Sequence, residues 1–204
     1  MPYDDTILGW MTTNDLESIS TLSKLVPKNG VILEIGSLFG RSTVAWAMSC
    51  DPSVKIYCGD IFYENYIDNH PLDTPTAPVS GKLYNAWEEF QKNTKHFSNI
   101  IPLRGAAPDE TNYNGDPVDL LFVDALHKNS IDWNIISHFA KFIKVGGIIA
   151  GHDYRKDYPD VTFNANKLSE IYKTPINSFD ESYSSVWSIV VTKEYNVLDF
   201  KVHE

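Results

Sequence analysis

Acidic side chains stand at the ends of most of the short apolar runs in this sequence of 204 residues. Five of these runs have the composition of buried strands, and four of the five end in a carboxylate. The residues at the five ends are Glu34, Asp60, Arg104 with Gly105, Asp124, and His152 with Asp153. Ligands of open α/β sheets bind at the carboxyl ends of the strands. The sequence therefore predicts a ligand cleft lined by carboxylates.

Two of these ends predict a metal site. Asp124 and Asp153 close strands expected to be neighbours, and two like charges repel unless a cation or a proton lies between them. Hard ions such as Mg²⁺ take oxygen ligands, and a nitrogen from His152 would shift the preference towards Mn²⁺ or Fe²⁺. The candidate metal ligands are thus Asp124, His152 and Asp153. In the alternative, Asp153 caps the next segment and His152 bonds a backbone carbonyl.

The first apolar run leads into a turn that contains Gly36 and Gly40, before a helix that begins near Arg41. Glycine lets the backbone approach a ligand closely, and the first N–H groups of a helix can bind a carboxylate. The spacing is neither G-x-G-x-x-G nor a G-x-x-x-x-G-K-[ST] loop. A ligand that ends in an amino-acid carboxylate suits this turn better than a pyrophosphate. Asp60 is placed to accept ribose hydroxyls. The alternatives are a plain tight turn and a solvated Asp60.

The stretches LEIGSLFGRS, FVDALH and GGIIAGHDY resemble motifs of class I S-adenosylmethionine-dependent methyltransferases. The resemblance is closest to the metal-dependent O-methyltransferases of the catechol type and to the sugar and macrolide branch, and it covers most of the chain, from residue 9 to 187. It implies that Glu34, Gly36 and Ser42 hold the methionine part of S-adenosylmethionine, that Asp60 holds the ribose and that Asp124 holds the amino group.

The resemblance adds three further cofactor-binding candidates, Ser37, Gly40 and Gly105. Where relatives place Gly-Asp-Ser to meet the adenine, this chain has Gly105-Ala106-Ala107, so adenine would meet mainly backbone there.

His127 is the candidate catalytic base, with Asp124 as the second catalytic residue. His127 follows Asp124 by three residues, where the catechol-type enzymes carry lysine, and an imidazole titrates near neutral pH. The alternative is an exposed histidine near the start of a helix. In the family, the positions of Asp124 and Asp153 are acidic and bind a metal, whereas His152 replaces the usual carboxylate or amide.

Apolar runs alternate with helical periodicity along the chain, a pattern typical of α/β proteins. The predicted fold is a Rossmann-like, seven-stranded, mostly parallel sheet with helices on both faces and an antiparallel C-terminal hairpin formed by residues 185–191 and 195–202. A first helix is expected to bury Leu16, Ile19, Leu22 and Leu25, and a later helix to span residues 82–97. We expect one domain over residues 1–204.

Residues 61–81 lack both strand and helix periodicity and are rich in aromatic residues and proline. Long irregular segments inside a compact domain are often binding loops, so we predict a lid-like insertion. Its aromatic residues would stack on a substrate ring, pack as a hydrophobic plug or contact a second subunit. Exposed aromatics near the N-terminus would also suit a homodimer.

Bulk composition narrows the partners. With 17 basic and 27 acidic residues and a net charge of −10, the chain lacks the basic face that nucleic acids require. Two cysteines without zinc spacing, no signal peptide and no membrane-spanning run predict a cytoplasmic protein that acts on a small molecule. The alternatives are a non-catalytic or differently active cofactor-binding protein and an NAD-type oxidoreductase, against which the missing G-x-G-x-x-G argues.

Overall fold

The computed structural model of the chain describes residues 3–67, 76–113, 115–179 and 182–200. Its strands are β1 (Val31–Ile35), β2 (Lys55–Asp60), β3 (Tyr66–Ile67), β4 (Leu83–Tyr84), β5 (Ile100–Arg104), β6 (Val118–Val123), β7 (Ile143–Gly151), β8 (Asn177–Ser178) and β9 (Trp187–Val190). Its α-helices are α1 (Thr13–Ser23), α2 (Arg41–Ser49), α3 (Ala86–Thr94), α4 (Asn129–Phe139) and α5 (Pro159–Tyr172). Two short 3₁₀ helices span Ala140–Phe142 and Val197–Phe200.

The main sheet has seven strands in the order β5-β2-β1-β6-β7-β9-β8. The five strands from β5 to β7 are parallel, and β9 and β8 complete the sheet in antiparallel orientation. The chain runs outward from β1 to β2 and β5 and then returns to β6 on the other side of β1. The strand order therefore reverses between β1 and β6, and the carboxyl ends of these two strands border the crevice where such sheets bind ligands.

Helices cover both faces of the sheet, as predicted. Successive side chains of a strand point to opposite faces, so Ile32 packs in a core with residues of α1 and α2, whereas Leu33 packs in a second core with residues of α4 and α5. Strands buried on both faces explain the continuous apolar runs in the sequence. The α/β fold class, the seven strands and the mostly parallel sheet are confirmed.

The antiparallel end of the sheet is built from other residues than those predicted. Residues 185–191 do contain β9, but β9 pairs with β8 and β7, and the predicted strand at 195–202 forms a 3₁₀ helix in its described part. The side chain of Asn196 accepts a hydrogen bond from Leu198 N at 3.0 Å, a local contact that favours a turn. Phe200 is thereby buried against Trp133, with ring centroids 5.5 Å apart.

Residues near the start of the predicted insertion form a small second sheet with residues that follow it. Tyr66 pairs with Tyr84 and Ile67 with Leu83, so β3 and β4 form an antiparallel pair that brackets the segment. The helix predicted over 82–97 starts only at Ala86, because Asn85 caps it by accepting a hydrogen bond from Glu88 N at 3.1 Å. Residues 68–75, including His70, lie outside the described residues.

Helix α1 begins at a capping box and is shorter than predicted. Thr12 Oγ1 accepts from Asp15 N at 3.2 Å, and the Asp15 carboxylate accepts from Thr12 N at 2.8 Å. Leu16 is fully buried, as predicted. The helix ends at Ser23, before Leu25, which is 63% exposed, so the prediction that Leu25 packs inward is wrong. In the described ranges, no helix combines the length and the apolar character that a membrane crossing requires.

The contrast between these two leucines gives a matched test. We expect Leu16→Ala to lower the free energy of unfolding by about 2–5 kcal/mol, because it leaves a cavity between α1 and the sheet. Leu25→Ala makes the same chemical change at an exposed site and should stay within about 0.5 kcal/mol. Urea denaturation followed by circular dichroism measures both, and equal losses would contradict the packing of α1.

Candidate active site

The tips of β1 and β6 touch at Gly36. The Gly36 backbone has φ +99°, and a Cβ at this position would lie 1.8 Å from the carbonyl oxygen of Asp124. Gly36 N donates to Gly59 O at 2.8 Å, and Asp124 N donates to Ile35 O at 2.8 Å. No side chain fits between these backbones. The glycine at this turn is therefore required by the close approach of the two strand tips.

Asp60 holds the turn after β1 from the neighbouring strand. Its Oδ2 accepts a hydrogen bond from Leu38 N at 2.8 Å, and its Oδ1 accepts from Phe62 N at 2.7 Å. Burial raises the pKa of Asp60, and these backbone donors oppose the rise. The sequence did not predict this bracing of the turn. A contact of Asp60 with a ribose stays a prediction.

The turn delivers the chain to an uncapped helix start. Gly40 precedes α2 with φ +85°, and no side chain caps the helix by a hydrogen bond. The two predicted serines of this segment, Ser37 and Ser42, are both buried beside it. The first N–H groups of α2 thus have no side-chain acceptor at the N-cap, the arrangement that suits an anionic group.

Glu34 lies behind the turn and is fully buried. Trp46 Nε1 donates to one carboxylate oxygen at 2.9 Å, and the Thr43 hydroxyl donates to the other. Burial raises the pKa of Glu34, while hydrogen bonds from Ser42 and Thr43 oppose the rise. The carboxylate therefore ties α2 to β1. Its contact with the methionine part of a ligand stays a prediction.

The three predicted metal ligands meet at the ends of β6 and β7. Ligand atoms of Asp124, His152 and Asp153 all lie within 4.8 Å of one another. His152 Nδ1 is 3.3 Å from Asp153 Oδ2 and 3.7 Å from Asp124 Oδ1. Two carboxylates and one imidazole thus converge on a small volume next to the Gly36 turn.

His127 faces the same two carboxylates from another side. Its Nε2 lies 3.3 Å from Asp153 Oδ2 and 3.6 Å from Asp124 Oδ1, and its ring packs edge-on against Tyr158 at 5.2 Å. The side chain of His127 is 26% exposed, against 7% for that of His152. His127 is therefore the more solvent-exposed imidazole of this cluster.

His152 is held from behind by a residue that the sequence analysis missed. Its Nε2 lies 3.3 Å from Oδ2 of Asp15, a buried carboxylate on α1. Burial alone would lower the pKa of His152, but the carboxylates of Asp124 and Asp153 outweigh it and hold that pKa well above its ordinary value. The T-x-x-D spacing of Thr12 and Asp15 is a capping pattern that could have drawn attention to Asp15, but nothing in the sequence links it to His152.

The loop after β5 is held together by a hydrogen bond between the side chain of Glu110 and the loop backbone. Glu110 Oε2 accepts a hydrogen bond from Ala106 N at 3.0 Å, and a Cβ on Gly105 would meet the Cβ of Glu110 at 2.6 Å. Gly105 N donates to Asp60 O at 2.9 Å, which joins this loop to the end of β2. Glu110, which the sequence analysis did not single out, thus engages the backbone at the predicted adenine position.

Aromatic residues of the insertion divide between the core and the surface. Phe62 is fully buried and packs against Phe90 with ring centroids 4.6 Å apart, which matches the hydrophobic plug among the alternatives. Tyr66 packs edge-on against Phe39 at 5.6 Å, whereas Tyr63 is exposed. A hydrogen bond from Gly9 N to Thr76 O, 3.0 Å long, joins the N-terminal segment to the insertion.

Comparison with known proteins identifies the family. A family model described as a methyltransferase domain matches residues 33–154, from the middle of β1 to just past β7, a span that contains the glycine turn and both carboxylate-bearing strand ends. The chain belongs to the methyltransferase domain family. The predicted resemblance to S-adenosylmethionine-dependent methyltransferases is confirmed.

A methyltransferase of known name is similar over most of this chain. Caffeoyl-CoA O-methyltransferase 2 of Petunia hybrida is 30% identical over 145 residues, which cover 70% of this chain and 53% of the relative. The chain thus spans about half the length of that relative.

Solved methyltransferase structures share the fold. The O-methyltransferase NovP has a TM-score of 0.65 at 16% identity, covering 88% of this chain and 80% of NovP. CalS11, a TDP-rhamnose 3′-O-methyltransferase of calicheamicin biosynthesis, has a TM-score of 0.60 at 16% identity, covering 86% of this chain and 78% of CalS11.

The contact between the strand tips of this methyltransferase domain can be tested by adding one methyl group. Gly36→Ala should destabilise the fold by more than the roughly 1–2 kcal/mol of left-handed backbone strain, because the Asp124 carbonyl must also move. Gly146→Ala is the control, since Gly146 has φ +87° and no described atom outside its immediate neighbours lies within 4 Å of a Cβ there. Similar losses in urea denaturation would contradict the close approach.

Asp132 of α4 gives a test of site electrostatics. It is buried, and its Oδ1 accepts from Leu126 N at 3.3 Å, which asparagine can also do. Burial raises the pKa of Asp132 to about 6. The folded state then binds a proton on the Asp132 carboxyl more tightly than the unfolded state does. The contribution of this group to stability is therefore present at low pH and is lost as the pH rises from about 4 to 6.

We therefore expect Asp132→Asn to match the wild type near pH 4 and to be more stable at pH 7, by up to about 3 kcal/mol, because one pKa unit is worth about 1.4 kcal/mol. Urea denaturation of both proteins in EDTA at the two pH values provides the measurement. A stability difference that does not change with pH would contradict the raised pKa.

Proposed function

We propose that the chain is an S-adenosylmethionine-dependent O-methyltransferase that methylates a hydroxyl of a small molecule, a sugar, a glycoside or a phenol, with the help of a divalent ion. The observation that carries this proposal is the contact between the Gly36 turn and Asp124. It brings an uncapped helix start and a cluster of carboxylates and imidazoles together at the switch point of the sheet. One site thereby combines places for a cofactor and for a metal.

The cofactor assignment divides between backbone and carboxylates. Gly36, Ser37, Gly40 and Ser42 would hold the amino-acid end, because the start of α2 offers N–H groups to a carboxylate. Asp124 would accept the amino group, since opposite charges attract at this half-buried position. When bound, S-adenosylmethionine supplies a methyl group on a positively charged sulfur.

The remaining parts of the cofactor would lie along β2 and β5. Asp60 would reach the ribose, and Gly105 would lie beside the adenine. Glu34 would contact the methionine part and would also hold α2, since its carboxylate is bonded by Thr43 and Trp46.

The donor set at the end of β7 fits a divalent ion. Neighbouring ligands around a Mg²⁺-sized ion lie about 3 Å apart, close to the 3.3 Å and 3.7 Å that separate His152 Nδ1 from the oxygens of Asp153 and Asp124. Two carboxylates with one imidazole suit Mn²⁺ as well as Mg²⁺. When bound, such an ion supplies positive charge that orients a hydroxyl and lowers its pKa.

His127 would take the proton of the attacking hydroxyl. Its ring is the more exposed of the two imidazoles, and its Nε2 stands 3.3 Å and 3.6 Å from the carboxylates that would face the hydroxyl. The same carboxylates stabilise the positive charge that His127 acquires with the proton. A base at this position would provide general-base catalysis.

The relatives support a small hydroxylated substrate. The names of the Petunia enzyme and of CalS11 give caffeoyl-CoA and TDP-rhamnose as their substrates, and both are O-methyltransferases. A substrate of this size and a cytoplasmic location remain proposals for this chain. A homodimer is also a proposal, but the expectation of exposed N-terminal aromatics is wrong at Tyr3, which is buried.

Calorimetric titration with S-adenosylhomocysteine, in the presence of Mg²⁺ or Mn²⁺, tests the proposal. We expect the wild type to bind and Asp124→Asn to weaken binding at least tenfold, because it removes a carboxylate that serves both the amino group and the ion. Asp116→Asn is the matched control. Asp116 lies just before β6 begins, at the end of the strand away from Asp124. Its carboxylate accepts hydrogen bonds from Lys55 and Tyr57 near the surface.

The outcomes separate the alternatives. No heat with S-adenosylhomocysteine would overturn the proposal. Heat with NAD⁺ in its place would favour an oxidoreductase, and heat with S-adenosylhomocysteine without methyl transfer to hydroxylated acceptors would favour a non-catalytic cofactor-binding protein. Equal weakening by Asp124→Asn and Asp116→Asn would contradict the assignment of Asp124 to the site.

A further inference from the structure

Asp15 is a buried carboxylate with more partners than a helix cap needs. Its Oδ2 accepts from Thr12 N at 2.8 Å, as the capping box requires, and also from Thr12 Oγ1 at 2.7 Å. Its Oδ1 accepts from Ser184 Oγ at 2.8 Å and from Ser185 N at 3.0 Å, just before β9. Asp15 is only 3% exposed. One oxygen is therefore fixed by Thr12 on the same helix start, and the other by a segment about 170 residues further along the chain.

The fixed carboxylate faces His152. Asp15 Oδ2 lies 3.3 Å from His152 Nε2, while His152 Nδ1 faces Asp124 and Asp153 on the other side of the ring. A capping aspartate at a helix start is normally exposed to water, and burying an ionised carboxylate costs free energy unless specific partners compensate. The capping box alone does not explain why this carboxylate is buried against an imidazole.

We propose that Asp15 is a positioning residue that fixes the tautomer and ring orientation of His152, so that Nδ1 presents its lone pair to a divalent ion. This inference rests on the metal site of the proposed function. A neutral imidazole carries one N–H. Nε2 makes no aligned hydrogen bond in this structure, but it lies 3.3 Å from Asp15 Oδ2, so a small turn of the ring would let the carboxylate hold that proton on Nε2. Metal-bound histidines commonly donate their other N–H to a carboxylate in this way, which fixes the ring and makes the ligand nitrogen more basic.

A competing role for the same contact is a buried ion pair that only stabilises the fold. In that role, loss of the Asp15 carboxylate lowers stability and leaves the affinity for a divalent ion unchanged. The affinity for a metal therefore distinguishes positioning from stabilisation, because a purely structural pair does not move it.

The first experiment measures Mn²⁺ affinity of the full chain by electron paramagnetic resonance of the free ion, well below the unfolding temperature. We expect Asp15→Asn to weaken Mn²⁺ binding 10- to 100-fold, the range observed for loss of such outer carboxylates. The control is Asn85→Ala, which removes the cap of another helix, α3, and makes no contact with the cluster. Its Mn²⁺ affinity should match that of the wild type.

A second measurement does not depend on the variant folding. Long-range ¹H–¹⁵N spectra of the Mg²⁺-saturated wild type should show His152 with its proton on Nε2, with the signal assigned by its loss in His152→Gln. A proton on Nδ1, or on both nitrogens, would overturn the proposal. Wild-type Mn²⁺ affinity in Asp15→Asn, or an equal loss in Asn85→Ala, would overturn it too.

Parallel titrations keep this inference separate from the proposed function. Binding of S-adenosylhomocysteine to the wild type without any Mn²⁺ affinity would overturn the role of Asp15 and leave the methyltransferase assignment standing. Mn²⁺ affinity that falls in Asp15→Asn, without S-adenosylhomocysteine binding to the wild type, would do the reverse.

Discussion

The site depends on the approach of two backbones at the middle of the sheet. The carbonyl of Asp124 occupies the space that a side chain on residue 36 would fill, so the tips of β1 and β6 lie closer together than any other residue at that position permits. This approach sets the path of the turn towards α2, and Asp60 then fixes the turn from β2. Strand β6 also pairs with β7, which brings Asp124 next to the end of β7, where Asp153 lies. The glycine turn and the carboxylate cluster are thus one structural unit.

Sequence reasoning reached the parts of this unit that local chemistry encodes. Apolar runs that end in Asp124 and Asp153 located the strand tips, because parallel strands buried on both faces have few polar residues before their ends. The roles of Asp15 and Glu110 stayed hidden, since each depends on which segments the fold brings together. Asp15 comes from α1, and its contact with His152 crosses most of the chain. A capping pattern predicts where a helix begins, but it does not show which distant residues pack against that helix.

The segments that were predicted wrongly are those where local contacts compete with periodicity. Residues 195–202 alternate as a strand should, but the Asn196 side chain favours a turn and Phe200 finds a place against Trp133. The start of α3 was placed too early, because Leu83 and Tyr84 pair with β3 before Asn85 begins the helix. In the first segment one polar side chain, Asn196, decides the structure. At the start of α3 the decision comes from a strand pair that is too short to give a pattern in the sequence.

The contact between Asp15 and His152 has an evolutionary consequence. The region shared with the family starts at residue 33, so Asp15 lies outside it, whereas His152 lies within it. Homologues that carry histidine at the position of His152 should therefore also carry an acidic residue at the position of Asp15, at the start of α1. Homologues with a carboxylate or an amide in place of His152 should be free to vary at the position of Asp15. The two positions would then form a covarying pair, one member before residue 33 and one within the region shared with the family, and this pairing would mark a subgroup within the family.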